Sequence, residues 1–304
     1  MRLKYLSSLL LILAFALSAN AQKAGSEKAF FEGPISSVEY VSPISSRPDD
    51  LIPSDNSIKE AKDKRSLAYE SALIPGKDPQ KEDDYFVRNR HEMEQTKTMA
   101  PPSLVFDAYA SGSQPTDPSL AVGPNHVIVV FNTGFAIYDK SGNQLLGQTS
   151  PNPAIFPNGG CCELTASYDN AADRWVLSFL GAGAQIAVSD GPNPLTAGWF
   201  IYTIGAINDY QKLSVWSDGY YITDNIGSSN NVCALERAAM LIWSTSAQIL
   251  GFNLPGLQTS GFYSPQVLNV TDNNLPAAGG ATVVYMQDDA WSGVNVDHVK
   301  VWTI

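Results

Sequence analysis

Four stretches of this chain share one pattern: a short strand-like run, a tight turn, a second run and then a third. They begin near Ser119, Leu164, Leu213 and Gln266, a spacing of about 45 to 53 residues, the size of a repeated sheet unit. The first unit covers Ser119 to Val130. The second joins Leu164–Asp169 to Arg174–Ser178, the third runs from Leu213 to Thr223, and the fourth joins Gln266–Val270 to Ala281–Met286. Third runs follow at Ala136–Tyr138, Gln185–Val188, Asn231–Leu235 and His298–Thr303. The runs are rich in Val, Ile, Tyr, Phe, Trp and Thr, and Gly, Pro, Asn and Asp break them, as expected of antiparallel strands and turns. One such unit cannot bury both faces of its own sheet, so the units must stack. The expected fold is therefore all-β, a β-propeller over residues 103–304 with about four blades visible. A β-sandwich built from the same strands is the competing architecture. Closing a ring takes a strand or a blade beyond the fourth. Either Val105–Tyr109 supplies it or the chain is C-terminally truncated at Ile304; the second is expected.

The residues ahead of the repeat differ in kind. Arg2 and Lys4 precede an apolar run from Leu6 to Leu17, and Ala19-Asn20-Ala21 places small residues before Gln22. That is the layout of a cleavable signal peptide over residues 1–21. The run is too short to cross a bilayer of ~30 Å, and no later stretch is long and apolar enough to span a membrane. Residues 22–102 hold 12 Lys and Arg against 15 Asp and Glu, with no sustained apolar period. Ile58–Ala72 and Asp84–Lys97 suggest short helices without an apolar face wide enough to fold alone. The segment reads as a flexible, charged, propeptide-like leader.

Residues 103–304 carry all six Trp and a net charge of −10. So few basic groups exclude a phosphate-backbone ligand, and nucleic acid with it. Export places Cys161, Cys162 and Cys233 in an oxidising compartment, where pairing is favoured. Either Cys161 or Cys162 joins Cys233, or the adjacent pair closes on itself. A zinc site is disfavoured, because two adjacent cysteines lack the spacer that turns both thiolates toward one ion.

The runs Asp117–His126, Tyr138–Asn143, Asp169–Leu177 and Trp216–Tyr221 resemble a family of large secreted bacterial propeller-like proteins, frequent in Bacteroidota and mostly uncharacterised. Members often end in a sorting domain for type IX secretion. The resemblance covers about residues 103–304 and implies fold and export rather than an activity. It points to a secreted or cell-surface location, with the periplasm as the destination if no sorting tail follows.

In a propeller the first strand of each blade lines the channel, and ligands meet the loops that enter it. The hairpin turns at Gly123–Asn125, Asp169–Arg174 and Ser217–Gly219 fall on the other face and read as structural. The entering loops supply Asp117, Glu163, Asp209, Tyr210 and Lys212. Loops after the second strands supply Asp224, Asn225, Asp288, Asp289 and Trp291. Converging carboxylates suit Ca²⁺, which takes several oxygen ligands. Carboxylates with Tyr and Trp suit a sugar equally well. A pair ~5–9 Å apart meets the geometry of glycoside hydrolysis. His126 and His298 have no nucleophile placed beside them by sequence, and no Gly-rich loop leads a strand into a helix. The expected function is an extracellular binding or adhesion module for a glycan or a cell-surface protein, with structural calcium. A secreted carbohydrate-active hydrolase or lyase is the alternative.

Overall fold

The structure is a computed structural model describing residues 28–29, 31–35, 37–54, 103–113, 115–181, 183–205, 207, 209–225, 232–258, 264–270, 272–289 and 291–304. Among these residues, seventeen strands form four antiparallel sheets, and the chain is all-β. Sheet I holds β3 (Ser119–Val122), β4 (His126–Phe131), β5 (Gly134–Asp139) and β6 (Gln144–Thr149) in chain order. Sheet II holds β7 (Cys162–Asp169), β8 (Arg174–Gly181), β9 (Gly183–Ser189) and β10 (Trp199–Ile204), with β2 (Ser37–Val41) on its outer edge. Sheet III repeats this plan with β11 (Lys212–Val215), β12 (Gly219–Thr223), β13 (Val232–Glu236) and β14 (Gln248–Phe252), edged by β1 (Phe31–Pro34). Sheet IV has β15 (Gln266–Val267), β16 (Thr282–Gln287) and β17 (His298–Thr303).

The period-2 alternation of the strands decides what each sheet packs against. In sheet I, Ile128, Val130, Phe135 and Ile137 point at Tyr168, Trp175, Leu177 and Phe179 of sheet II. The other face of sheet II offers Val176, Ile186, Val188 and Tyr202 to Tyr220, Ile222 and Leu235 of sheet III. Tyr221, Val232 and Phe252 then meet Val267, Val283 and Trp302 of sheet IV. Each sheet thus completes its core with the next one along the chain. None of the three buried clusters joins sheet IV back to sheet I. Their outward faces keep apolar groups in solvent: Leu120 and Val122 on sheet I, and Met286, Val299 and Val301 on sheet IV.

One expectation needs correction. Residues 22–102 are not uniformly a flexible leader. β1 pairs with β14 (Phe31 opposite Gly251) and β2 with β10 (Tyr40 opposite Phe200), while Ile35, Val41 and Ile44 are buried. These strands have almost no apolar face of their own; the ladders of two finished sheets hold them. Val105–Tyr109, the less favoured of the two ways to close a ring, forms no strand. It crosses the outward face of sheet I, with Phe106 against Tyr138 (5.4 Å between ring centres) and Tyr109 stacked on Phe131 (4.6 Å). Val105 stays 77% exposed, so this segment closes no ring. Residues 1–21 and both short helices expected between 58 and 97 lie outside the described residues. Among the described residues, no helix is long and apolar enough to cross a membrane.

Candidate functional site

The first strands of all four sheets border one central cleft of about 760 Å³, with Ser119, Ala166, Leu213 and Gln266 in its wall. A second cleft of about 390 Å³ shares those four residues and opens where the strands begin. Asp117, Glu163, Tyr210 and Lys212 also line it. This is the mouth of the central cleft.

Its geometry is set by three backbone positions of one kind. Asp117 (φ 41°), Glu163 (φ 58°) and Tyr210 (φ 48°) all have left-handed backbone. Each stands two places ahead of the first regular ladder pair of its sheet: Ser119 with Val130, Thr165 with Ser178, and Lys212 with Thr223. Non-glycine residues enter this region at a cost of order 1 kcal/mol or more, and such residues gather at functional sites. The same turn, made three times, brings an acid, an acid and a tyrosine around one opening.

Buried amides clamp these turns. Asn132, just after β4, donates its backbone N–H to Thr116 O (2.9 Å) and its side-chain amide to Pro115 O (3.2 Å). Its Oδ1 accepts from the backbone N–H of Glu163 at 2.5 Å. One side chain therefore fixes the entries to sheets I and II together. Gln211, fully buried, donates to Glu163 O at 2.6 Å and ties in sheet III. Asn225 N–H donates to Asp209 O at 3.2 Å and holds the Asp209 turn.

The electrostatics are those of a crowded, half-dry opening. The Lys212 ammonium lies 3.3 Å from the centre of the Tyr210 ring, a cation–π contact. Burial pushes the Lys212 amine below its ordinary value, while Glu163, Asp117 and Asp209 pull it back up. Burial also raises the Asp117 carboxyl; Lys212 opposes the rise and Asp209 adds to it. The Tyr210 phenol is raised by burial first, then by Asp117, Glu163 and Asp209. Hydrogen-bond donors and acceptors thus face one space of about 390 Å³.

Five of the residues expected from sequence meet here: Asp117, Glu163, Asp209, Tyr210 and Lys212. The other five do not line this mouth. Asp224 is fully buried at the end of β12, and its charge helps burial push the Cys233 thiol up to about 12. Asn225 serves the Asp209 turn. Asp288, Asp289 and Trp291 lie on the β16–β17 loop of sheet IV, and Trp291 packs on Tyr285. Oxygen atoms of Asp288, Asp289 and Asp297 lie within 4.8 Å of one another, close enough to share a cation. The cysteines take the adjacent pairing: Cys161 bonds to Cys162 and Cys233 is free and buried, so no bridge links Cys233 to either.

Asn132, Gln211 and Asp297 escaped the sequence reading. Asn132 was the most accessible of them, since it follows its second strand just as Asp224 follows β12.

No family model and no curated protein matches the chain. Among solved structures it is similar to a protein of unknown function from Bacteroides caccae, with a TM-score of 0.34 and 12% identity. The match covers 60% of this chain and 59% of that one.

Proposed function

We propose that sheets I to IV are successive blades of a β-propeller, exported by the N-terminal signal, whose mouth binds a glycan or a cell-surface protein. One observation carries the reading: acids, an amine and a phenol from three successive strand entries converge on a single opening. The in-order stacking of the sheets and the exposed apolar face of sheet IV support an arc of blades that further sheet could extend. Carboxylates and an ammonium beside a cavity suit the hydroxyl groups of a sugar, which accept and donate together. Calcium belongs to the reading as a structural ion at Asp288, Asp289 and Asp297. The protein then acts in secreted form or at the cell surface, or in the periplasm if no sorting signal follows.

A second reading, a carbohydrate-active hydrolase or lyase, draws on Asp117. Its carboxyl is raised by burial and lines the same opening as Glu163, so two carboxyl groups in unlike surroundings face one space. Glycan arrays and surface-protein pull-downs with the full chain, beside a polysaccharide turnover screen, separate the two. Binding lost in Lys212→Ala and Glu163→Gln, without product, supports the binding module. Product formation lost in Asp117→Asn supports the enzyme. A folded protein that binds and cleaves nothing overturns both.

A further inference from the structure

The Cys161–Cys162 bond joins neighbours in the chain. It closes a small ring and ties no distant segments, so it removes little loop entropy from the unfolded chain. A cross-link of this kind is a weak staple, and neither cysteine belongs to the three buried clusters between the sheets.

Its position is more telling. Cys161 is exposed, Cys162 is buried, and the next residue is Glu163, an acid of the mouth. The β7–β8 ladder runs regularly from Thr165–Ser178 to Asp169–Arg174. Between the Cys162–Leu180 and Thr165–Ser178 pairs it is irregular, and β7 there spans one residue more than β8. Such a bulge re-aims the side chain it carries. Here that side chain is Glu163, at φ 58°. Because side chains alternate along a strand, a regularised ladder turns Glu163 to the opposite side. The dipeptide is also anchored at both ends, by Cys161 N–H on Leu180 O (2.9 Å) and Glu163 N–H on Asn132 Oδ1 (2.5 Å).

We propose that Cys161–Cys162 is a redox-controlled clamp on the mouth. Oxidised, it holds the bulge that keeps Glu163 beside Lys212; reduced by a dithiol, it lets the bulge relax and withdraws that carboxylate. In the reducing step one thiolate of the dithiol attacks Cys161, the exposed partner. The protein S–S bond breaks, and Cys162 leaves as a thiolate that takes up a proton. The second thiol of the reagent then displaces the Cys161 sulfur and closes the reagent's own disulfide. Two electrons pass to the protein, which gains two thiols. The clamp acts on the mouth assigned to binding above, but its test reads the mouth itself and needs no ligand.

The full chain is treated with an amine-acylating reagent, oxidised and after a dithiol, and Lys212 labelling is compared with that of exposed Lys140 by mass spectrometry. Withdrawing Glu163 removes an anion that favours the charged amine. Lys212 should then label about threefold faster, because the neutral amine is the reactive form and its share rises when the neighbouring anion leaves. Glu163→Gln in the oxidised protein should label at the fast rate and ignore the dithiol. The Cys161→Ser, Cys162→Ser double variant should be fast throughout, with its sheet signal in circular dichroism retained. Three outcomes overturn the clamp: a pair that resists reduction in the folded protein, reduction that unfolds the sheets, or free thiols at both positions with unchanged Lys212 labelling. A ligand bound at a redox-insensitive mouth sinks the clamp and leaves the binding reading standing; a redox-sensitive mouth without a ligand does the reverse.

Discussion

Asp169 and Arg237 meet across the seam between sheets II and III, Nε to Oδ2 at 2.6 Å and Nη2 to Oδ1 at 2.9 Å. The Tyr220 hydroxyl donates to the same carboxylate at 2.9 Å, and Asp169 is fully buried. A residue that begins a hairpin turn in one sheet is thereby the anchor of the next.

Breaking that pair from one side should be expensive. Arg237→Met leaves a buried carboxylate without its cation, at a cost of about 3–5 kcal/mol. Replacing both residues with apolar ones should cost distinctly less than the two single changes added together. Urea unfolding of the two single variants and the double variant measures this coupling. Strict additivity would show that the ion pair does not stabilise the seam.

Asp117 predicts a pH dependence. Its folded carboxyl is raised above the ordinary aspartate value of 3.8, chiefly by burial. A raised group favours the fold below its unfolded value, and that contribution disappears as pH rises through the folded value. Asp117→Asn should therefore be more stable than the parent near neutrality, with the advantage shrinking to nothing below about pH 3.8. Thermal unfolding of the two proteins across that range tests it. An advantage that grows toward acid would reverse the sign.

Gly123 has no room for a side chain. An added Cβ would stand 2.7 Å from the Trp175 ring and 3.1 Å from Tyr168. Trp175 is fully buried, and its indole N–H donates to Pro192 O at 2.9 Å, so the ring cannot simply move aside. Gly123→Ala should cost about 1–3 kcal/mol, the usual range for overpacking. The urea midpoint should fall, and tryptophan emission should shift if the ring is displaced.

Calcium should stabilise the chain through Asp288, Asp289 and Asp297. Extracellular calcium sites bind at ~0.1–1 mM, so ~10 mM calcium over a 1 mM site adds about 1.4 kcal/mol. Asp297→Asn should abolish the shift in thermal unfolding. An unchanged shift in that variant would place the ion elsewhere.

The repeat was legible because its strands satisfy two demands at once, an apolar alternation and a turn at each end. The starts read near Ser119, Leu164, Leu213 and Gln266 fall within or beside β3, β7, β11 and β15. Loop position was enough to pick out Asp117, Glu163 and Tyr210, since equivalent turns deliver equivalent residues to one opening. Asn132 and Gln211 were harder, because a buried amide that clamps a turn looks like any polar loop residue until its partners are known. β1 and β2 left almost no trace. Phe-Glu-Gly-Pro and Ser-Val-Glu-Tyr-Val are short, charged and largely exposed, and their pairing is dictated by edges more than two hundred residues away in the first case. The cysteine pairing was undecidable, since both alternatives were covalently reasonable.

Those two N-terminal strands set an order of events. Residue 31 pairs opposite residue 251, and residue 40 opposite residue 200, so the earliest-made strands have no partner until most of the chain has left the ribosome. Contacts of such long sequence separation form late, after the loops between them have closed. Sheets II and III must therefore assemble with their outer edges bare, and the segment from Phe31 to Val41 seals them afterwards. A chain cut between residues 204 and 248 would keep the seal on sheet II but lack β14, leaving β1 without its partner and the edge of β13 open to other chains.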